Sequence, residues 1–261
     1  ITESLGDLYG MHWPYKQHKT SRNKKLLPHH DLLKDFGACF GVSAGYERPM
    51  WFALDGEKAE YNYSYNYQNW YPSVEYETNN TTQNVGLFDL TPFSKFEIKS
   101  EKAHDELQRI CTSNIKNEIG KCTYTHMLNK DGGIETDLTM VCLEENYFRI
   151  ISSAATRERD KFHIKKHLSD GIELNDVTDD YCVFGVFGPK SRMLMEDLSK
   201  DDFTNANFEF ANSKFVFIDD VKIWTQRLSY VGELGYELYI NIKDAKKIYE
   251  KIIEKGKKFN L

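Results

Sequence analysis

No run of about 18 apolar residues occurs in this 261-residue chain, so nothing in it reads as a membrane-spanning helix. Basic residues are not in excess. The 34 Lys and Arg are outnumbered by 40 Asp and Glu, a formal net charge of −6, which argues against a nucleic-acid platform and leaves room only for a local basic patch. Cysteine is scarce and unpatterned. Cys39, Cys111, Cys122, Cys142 and Cys182 are odd in number and show no C-x-x-C spacing. Most lie in apolar or strand-like runs, and they read as buried thiols of a reducing compartment. The glycines do not spell a dinucleotide fingerprint either at 132–133 or at 185–188, so no flavin or nicotinamide site is expected here. Ser229 lacks the G-x-S-x-G context of a hydrolase nucleophile. His163 and His167 are spaced four apart on an expected helix, but they have no third ligand and are flanked by Lys165 and Lys166. They read as a solvated face, and no metal site is expected.

What is present is ample core material. Hydrophobic residues make up 40% of the chain, with 16 Phe and 16 Tyr, enough for two compact units or one large one. The chain begins at Ile1 with no cleavable targeting segment and stops just after an amphipathic helix (244–255), and is expected to be part of a longer polypeptide. The first 43 residues read as loop-rich with one short helix at 29–36. The tract YNYSYNYQNWY (61–71) reads as an aromatic loop. Two alternations of strand and helix follow: strands at 95–98, 124–128, 136–143 and 147–151 with helices at 103–111 and 154–168, then strands at 180–187, 215–218, 221–228 and 235–240 with helices at 191–198 and 244–255. Asp219-Asp220 is the turn between two of the later strands. Strands in runs with helices on one side predict an α+β fold and not a doubly wound sheet.

Two glycine-punctuated segments stand out. In Tyr124–Thr139, YTHMLNKDGGIETDLT, a hairpin turn around Gly132-Gly133 leads into a strand that carries Asp137 just ahead of Leu138, Met140 and Val141. Aspartate is depleted in strands and needs a hydrogen-bonding reason to be there; tying the turn to its own backbone is the simplest one. In Leu228–Tyr239, LSYVGELGYELY, Gly232 and Gly235 bracket Glu233, and Glu237 enters the next strand.

With Gly45–Phe52 (GYERPMWF), Val85–Leu90 (VGLFDL) and Phe187–Arg192 (FGPKSR), these segments make the chain resemble, from about residue 12 to its end, the folate-binding aminomethyltransferase family, the T-protein of the glycine cleavage system. The version at the C-terminal end of dimethylglycine and sarcosine dehydrogenases is the closer match. The resemblance implies a cloverleaf of antiparallel-sheet and helix subdomains, here without the C-terminal one. Residues 1–43 would be the join to a flavin-oxidoreductase region, 44–175 a first folate-binding subdomain and 176–261 an incomplete second. It implies that Glu237 accepts the donor edge of the pterin, as a carboxylate accepts an arginine fork, with Tyr124 and Tyr230 lining the same pocket. Asp137 matches the catalytic aspartate, a carboxylate that stabilises cationic character and relays a proton.

The implied cofactor is tetrahydrofolate, with FAD on a flavin domain of the same polypeptide that is absent from this chain. The implied small-molecule partner is an N-methyl amine or its iminium, whose carbon leaves as 5,10-methylenetetrahydrofolate. Neither nucleic acid nor a membrane is a partner. The compartment would be the bacterial cytoplasm, or the mitochondrial matrix in a eukaryote. A freestanding folate-dependent aminomethyl- or methyltransferase and a non-catalytic regulatory paralogue are the alternative readings.

Overall fold

Alternation of apolar residues, with turn residues between the runs, builds two antiparallel sheets whose inner faces are pressed together. A computed structural model describes residues 2–261; Ile1, the first residue of the expected join, lies outside the described residues. In the first sheet, β4 (Ser94–Lys99), β5 (Cys122–Leu128), β6 (Ile134–Glu144), β7 (Tyr147–Ser152) and the short β8 (Asn175–Asp176) lie in the order β5-β6-β7-β4-β8. In the second, β3 (Gly86–Asp89), β9 (Tyr181–Phe187), β10 (Ser213–Ile218), β11 (Val221–Gln226) and β12 (Gly235–Asn241) lie in the order β10-β11-β12-β9-β3. Every pairing is antiparallel.

Each sheet hides its outer face under helices. Helix α4 (Ala103–Ile110) and α5 (Arg157–His167) pack Ala103, Leu107 and Ile164 onto Phe96, Leu138, Met140 and Ile150 of the first sheet. Helix α6 (Ser191–Leu198) and α7 (Ala245–Gly256) pack Leu194, Ile248 and Ile252 onto Phe184, Tyr236 and Leu238 of the second. Period-2 alternation sends the remaining strand residues to the other face, where Val141, Leu143 and Ile151 of one sheet meet Val183, Phe187, Trp224 and Tyr239 of the other. The result is a helix–sheet–sheet–helix stack, an α+β architecture with the third core between the sheets.

One ion pair crosses into that middle core. Arg149 on β7 reaches Glu97 on β4 through Nε and Nη2 at 2.9 and 2.6 Å, and Tyr147 also donates to Glu97. The guanidinium lies 4.4 Å from the ring of Tyr181 on β9, so the charge of one sheet is stacked on an aromatic of the other.

The sheets do not divide the chain into consecutive blocks. Strand β3 comes before every strand of the first sheet yet pairs with β9 in the second, and Leu27, Leu33, Ala38 and Tyr46 from the N-terminal region pack in the second sheet's helix-side core. The N-terminal region is also less loop-like than its sequence suggests. It holds α1 (Thr2–Asp7), α2 (His30–Asp35) and β1 (Ala38–Ser43), and β2 (Tyr46–Phe52) follows at once. Strands β1 and β2 form a hairpin whose Ala44-Gly45 turn has positive φ at both positions, the two-residue geometry that matches strand twist. The aromatic tract stays irregular: Tyr61 and Tyr63 stack at 5.4 Å and Trp70 meets Tyr61 edge-on, just before α3 (Tyr71–Gln83). Among the described residues no helix is long and apolar enough to cross a membrane, and all five cysteines are free, four of them buried and Cys111 half-buried.

Candidate functional site

The hairpin β5-β6 places Asp137 without using it to close the turn. Asn129 does that work: its side-chain oxygen accepts from the amides of Asp131 and Gly133 at 3.0 and 2.9 Å, while Gly132 supplies the positive φ. Asp137 is therefore available. It is exposed, stands opposite His126 in register, and accepts at 3.0 Å from the phenol of Tyr124. That phenol also lies 3.5 Å from His126 Nε2. The bond to Asp137 raises the Tyr124 phenol above its ordinary pKa, because deprotonation would put two negative charges side by side.

Glu237 occupies the opposite situation. Strand β12 alternates Tyr236, Leu238 and Ile240 toward the helices, so Glu237 and Tyr239 point into the space between the sheets. The carboxyl is 5% exposed and has one described hydrogen bond, from Tyr239 Oη at 2.9 Å. Burial pushes its pKa up to about 7, against a smaller lowering by the Tyr239 phenol. On neighbouring strands, Gly185 on β9 and Gln226 on β11 stand opposite it in register. Gly185 makes room for the Phe187 ring, since an added Cβ would come within 2.5 Å of it. Gln226 is fully buried, and neither of its amide atoms has a hydrogen-bond partner.

Glu237 lines a narrow cleft of about 10 Å³ together with Leu90, Phe93, Thr139, Ile151, Val183, Tyr230 and Tyr239. Thr139 is two residues from Asp137 on the same face of β6 and directly opposite Tyr124. Tyr230, largely exposed, tilts against Phe93 with ring centroids 5.7 Å apart. Its phenol is raised first by desolvation and then by the fields of Glu237, Asp137 and Tyr124, so all four sequence-predicted residues act on one locality. Asp137 and Tyr124 form the open rim, and Glu237 the closed floor. Glu233, which also ends a glycine turn, is half-buried and makes no side-chain bond among the described residues.

Sequence reasoning missed His126, Gln226 and the apolar wall of Leu90, Phe93 and Val183. His126 was open to inference from its period-2 spacing to Tyr124. Gln226 was not, because nothing local marks the residue that will stand beside Glu237. His163 and His167 have ring centroids 4.4 Å apart, with His167 Nδ1 turned to the His163 carbonyl. The ligand-type atoms that do gather, those of Glu3, Asp7 and His18, lie on the surface, where Glu3 is occupied by the amides of Lys19 and Thr20 and Asp7 by Lys16.

The antiparallel sheets with their covering helices match the fold of an aminomethyltransferase T-protein. Residues 29–261 match the GCVT N-terminal domain family, and the chain belongs to it. It is 36% identical over 260 residues to 4-methylaminobutanoate oxidase (formaldehyde-forming) of Paenarthrobacter nicotinovorans, covering 99% of this chain and 32% of that protein. It is 32% identical over 219 residues to mitochondrial dimethylglycine dehydrogenase of Rattus norvegicus, covering 83% of this chain and 25% of that one. The glycine cleavage system aminomethyltransferase T of Bartonella henselae superposes with a TM-score of 0.71 at 23% identity, over 88% of this chain and 57% of its own, a likeness of fold. These relatives are enzymes, and the chain spans a third or less of the length of the oxidase and the dehydrogenase.

Proposed function

We propose that this chain is the folate-binding, one-carbon transfer domain of a flavin-dependent enzyme that demethylates N-methyl amines of the dimethylglycine or sarcosine type, with 5,10-methylenetetrahydrofolate as the product. The observation that carries the reading is the buried carboxyl of Glu237, held up to about 7 at the floor of a cleft whose rim carries Asp137. A buried carboxylate with one phenol donor has acceptor capacity left for a pterin's N–H edge, and the Gln226 amide beside it has a donor and an acceptor unspent. These residues fit a reduced pterin. Tetrahydrofolate supplies there the pair of nucleophilic nitrogens that take up one carbon.

The protein's own contribution is position and charge. Glu237 and Gln226 read the ring edge, and Tyr230, swinging away from Phe93, covers its face. Asp137 holds a fixed negative charge at the rim, where cationic character develops as the carbon changes partners. Through the Tyr124 phenol and His126 it can hand on a proton. The relative covering 99% of the chain is an amine oxidase, which favours the flavin-linked reading over a freestanding transferase. In this reading the partners are an N-methyl amine and a flavin domain in the same polypeptide, and the compartment is bacterial cytoplasm or mitochondrial matrix.

The test is calorimetric titration of the complete polypeptide with tetrahydrofolate, wild type against Glu237→Ala. Saturable binding lost in the variant supports the reading; no binding by the wild type overturns it in favour of a regulatory paralogue.

A further inference from the structure

Two walls of the folate cleft, Leu90 and Phe93, belong to the loop between β3 and β4, where the chain crosses from the second sheet to the first. The loop's amides are settled locally. Leu90 donates to the Val183 carbonyl at 2.8 Å, Thr91 to the Asp89 side chain at 2.9 Å and Phe93 to the Leu90 carbonyl at 3.1 Å, while Pro92 has no N–H to place. The Thr91 hydroxyl accepts in turn from the amide of Val183 at 3.0 Å. There remain the carbonyls of Thr91 and Phe93, and both accept from one side chain, the ammonium of Lys95, at 2.9 and 2.7 Å.

Lys95 is fully buried, which lysine almost never is without an opposite charge beside it. Its hydrogen bonds go to the two carbonyls and, among the described residues, to no carboxylate. Burial lowers its pKa to about 7, so the fold holds this ammonium against a desolvation cost that an apolar side chain would not meet. Its aim follows from strand period: β4 turns Phe96 and Ile98 toward the helices, which sends Lys95 into the space between the sheets. Its partner in register on β7 is Ile151, a third wall of the cleft. An apolar residue at this position would fill the space and leave the two loop carbonyls without donors.

We infer that Lys95 is a positioning residue of the folate cleft: by drawing the carbonyls of Thr91 and Phe93 onto one ammonium, it fixes the loop so that the Phe93 ring stands at the cleft. There Phe93 meets Tyr230, with ring centroids 5.7 Å apart. Lys95 itself touches no ligand. It acts through Phe93, so that a pterin parting Tyr230 from Phe93 finds one aromatic face already in place and spends no binding energy on ordering the loop. The inference rests on the folate reading, and it gives residues 90–93 a role in affinity separate from the role of Asp137 in transfer.

The experiment titrates tetrahydrofolate calorimetrically into the complete polypeptide as wild type, Lys95→Met, Phe93→Ala and the double variant. Lys95→Met should weaken binding about tenfold in the parent and less than about twofold where Phe93 is already Ala, because a residue that acts through Phe93 has nothing left to position there. Single-turnover carbon transfer at saturating folate should stay within about twofold of wild type, since Asp137 is untouched. An equal loss of affinity in both backgrounds, or a fall in saturated transfer as large as the fall in affinity, is what a general structural role gives, and either overturns the inference. Unchanged affinity in Lys95→Met overturns it as well. Lys95→Gln, with two N–H groups on a shorter stem, is read instead if Lys95→Met does not fold; a several-fold weakening that Phe93→Ala removes supports the inference, and unchanged affinity overturns it. Wild-type binding that Glu237→Ala abolishes and Lys95→Met leaves alone overturns the role of Lys95 and keeps the folate reading. No binding by the wild type overturns both.

Discussion

The two carboxylates of the cleft arise from the same local grammar and end in opposite environments. Asp137 and Glu237 each follow a glycine-bearing turn into a strand, and each faces the space between the sheets. On β6, Asp137 stays in water beside the exposed phenol of Tyr124. On β12, a central strand roofed by Phe187 and flanked by Gln226, Glu237 is sealed and its pKa rises to about 7. Packing, not sequence spacing, assigns one carboxyl to fixed charge and the other to a proton-sensitive acceptor.

The largest expected effect tests the exposed member. Asp137→Asn in the complete polypeptide should reduce single-turnover carbon transfer by about 10²–10⁴-fold while folate affinity and thermal stability hold, because the residue is exposed and tied only to Tyr124. Normal transfer by this variant would erase the distinction between rim and floor. The next effect tests the seal itself. Arg149→Met strands Glu97 without its cation in the middle core and should cost roughly 3–5 kcal/mol in denaturant unfolding. A loss under 1 kcal/mol would mean that the inter-sheet core is wetter than its burial indicates.

The floor carboxyl carries a pH signature of its own. A folded pKa raised from 4.5 to about 7 means the folded state binds the proton more tightly. The associated stability is complete below about pH 4.5 and is lost as pH rises through about 7, on the order of 3 kcal/mol. Glu237→Gln should abolish this slope; taking the difference between wild type and variant cancels Asp176 and Glu47, whose pKa values are shifted downward by their own partners. Folate affinity should run the other way, rising with pH through about 7 as the carboxylate becomes a pure acceptor, and a pH-independent affinity would remove Glu237 from the pterin edge. Smallest of all, Tyr124→Phe should slow transfer by about two- to tenfold, since it deletes one exposed hydrogen bond and leaves Asp137 in place. An unchanged rate would confine the phenol to a structural role.

Much of this was legible in the residues. The β5-β6 hairpin, the Asp219-Asp220 turn and the helices α4 to α7 follow from turn chemistry and period, and the motifs around Asp137 and Glu237 marked the family. Less was legible where distant segments choose partners. The VGLFDL segment forms β3, which joins β9 of the second sheet although every strand of the first lies between the two in sequence. The turn after β5 is tied by Asn129, whose side chain reaches two of its amides at once, which removes the simplest structural role open to Asp137.

The sequence by itself determined the class of fold, the two glycine-led strands and the identities of the carboxylates they carry, since each depends on contacts within about a dozen residues. Only the tertiary structure decided which carboxylate is buried and which side chains share its cleft. Burial, and with it pKa and unspent hydrogen-bonding capacity, belongs to whatever packs on a residue from elsewhere in the chain, and no local pattern encodes that neighbour.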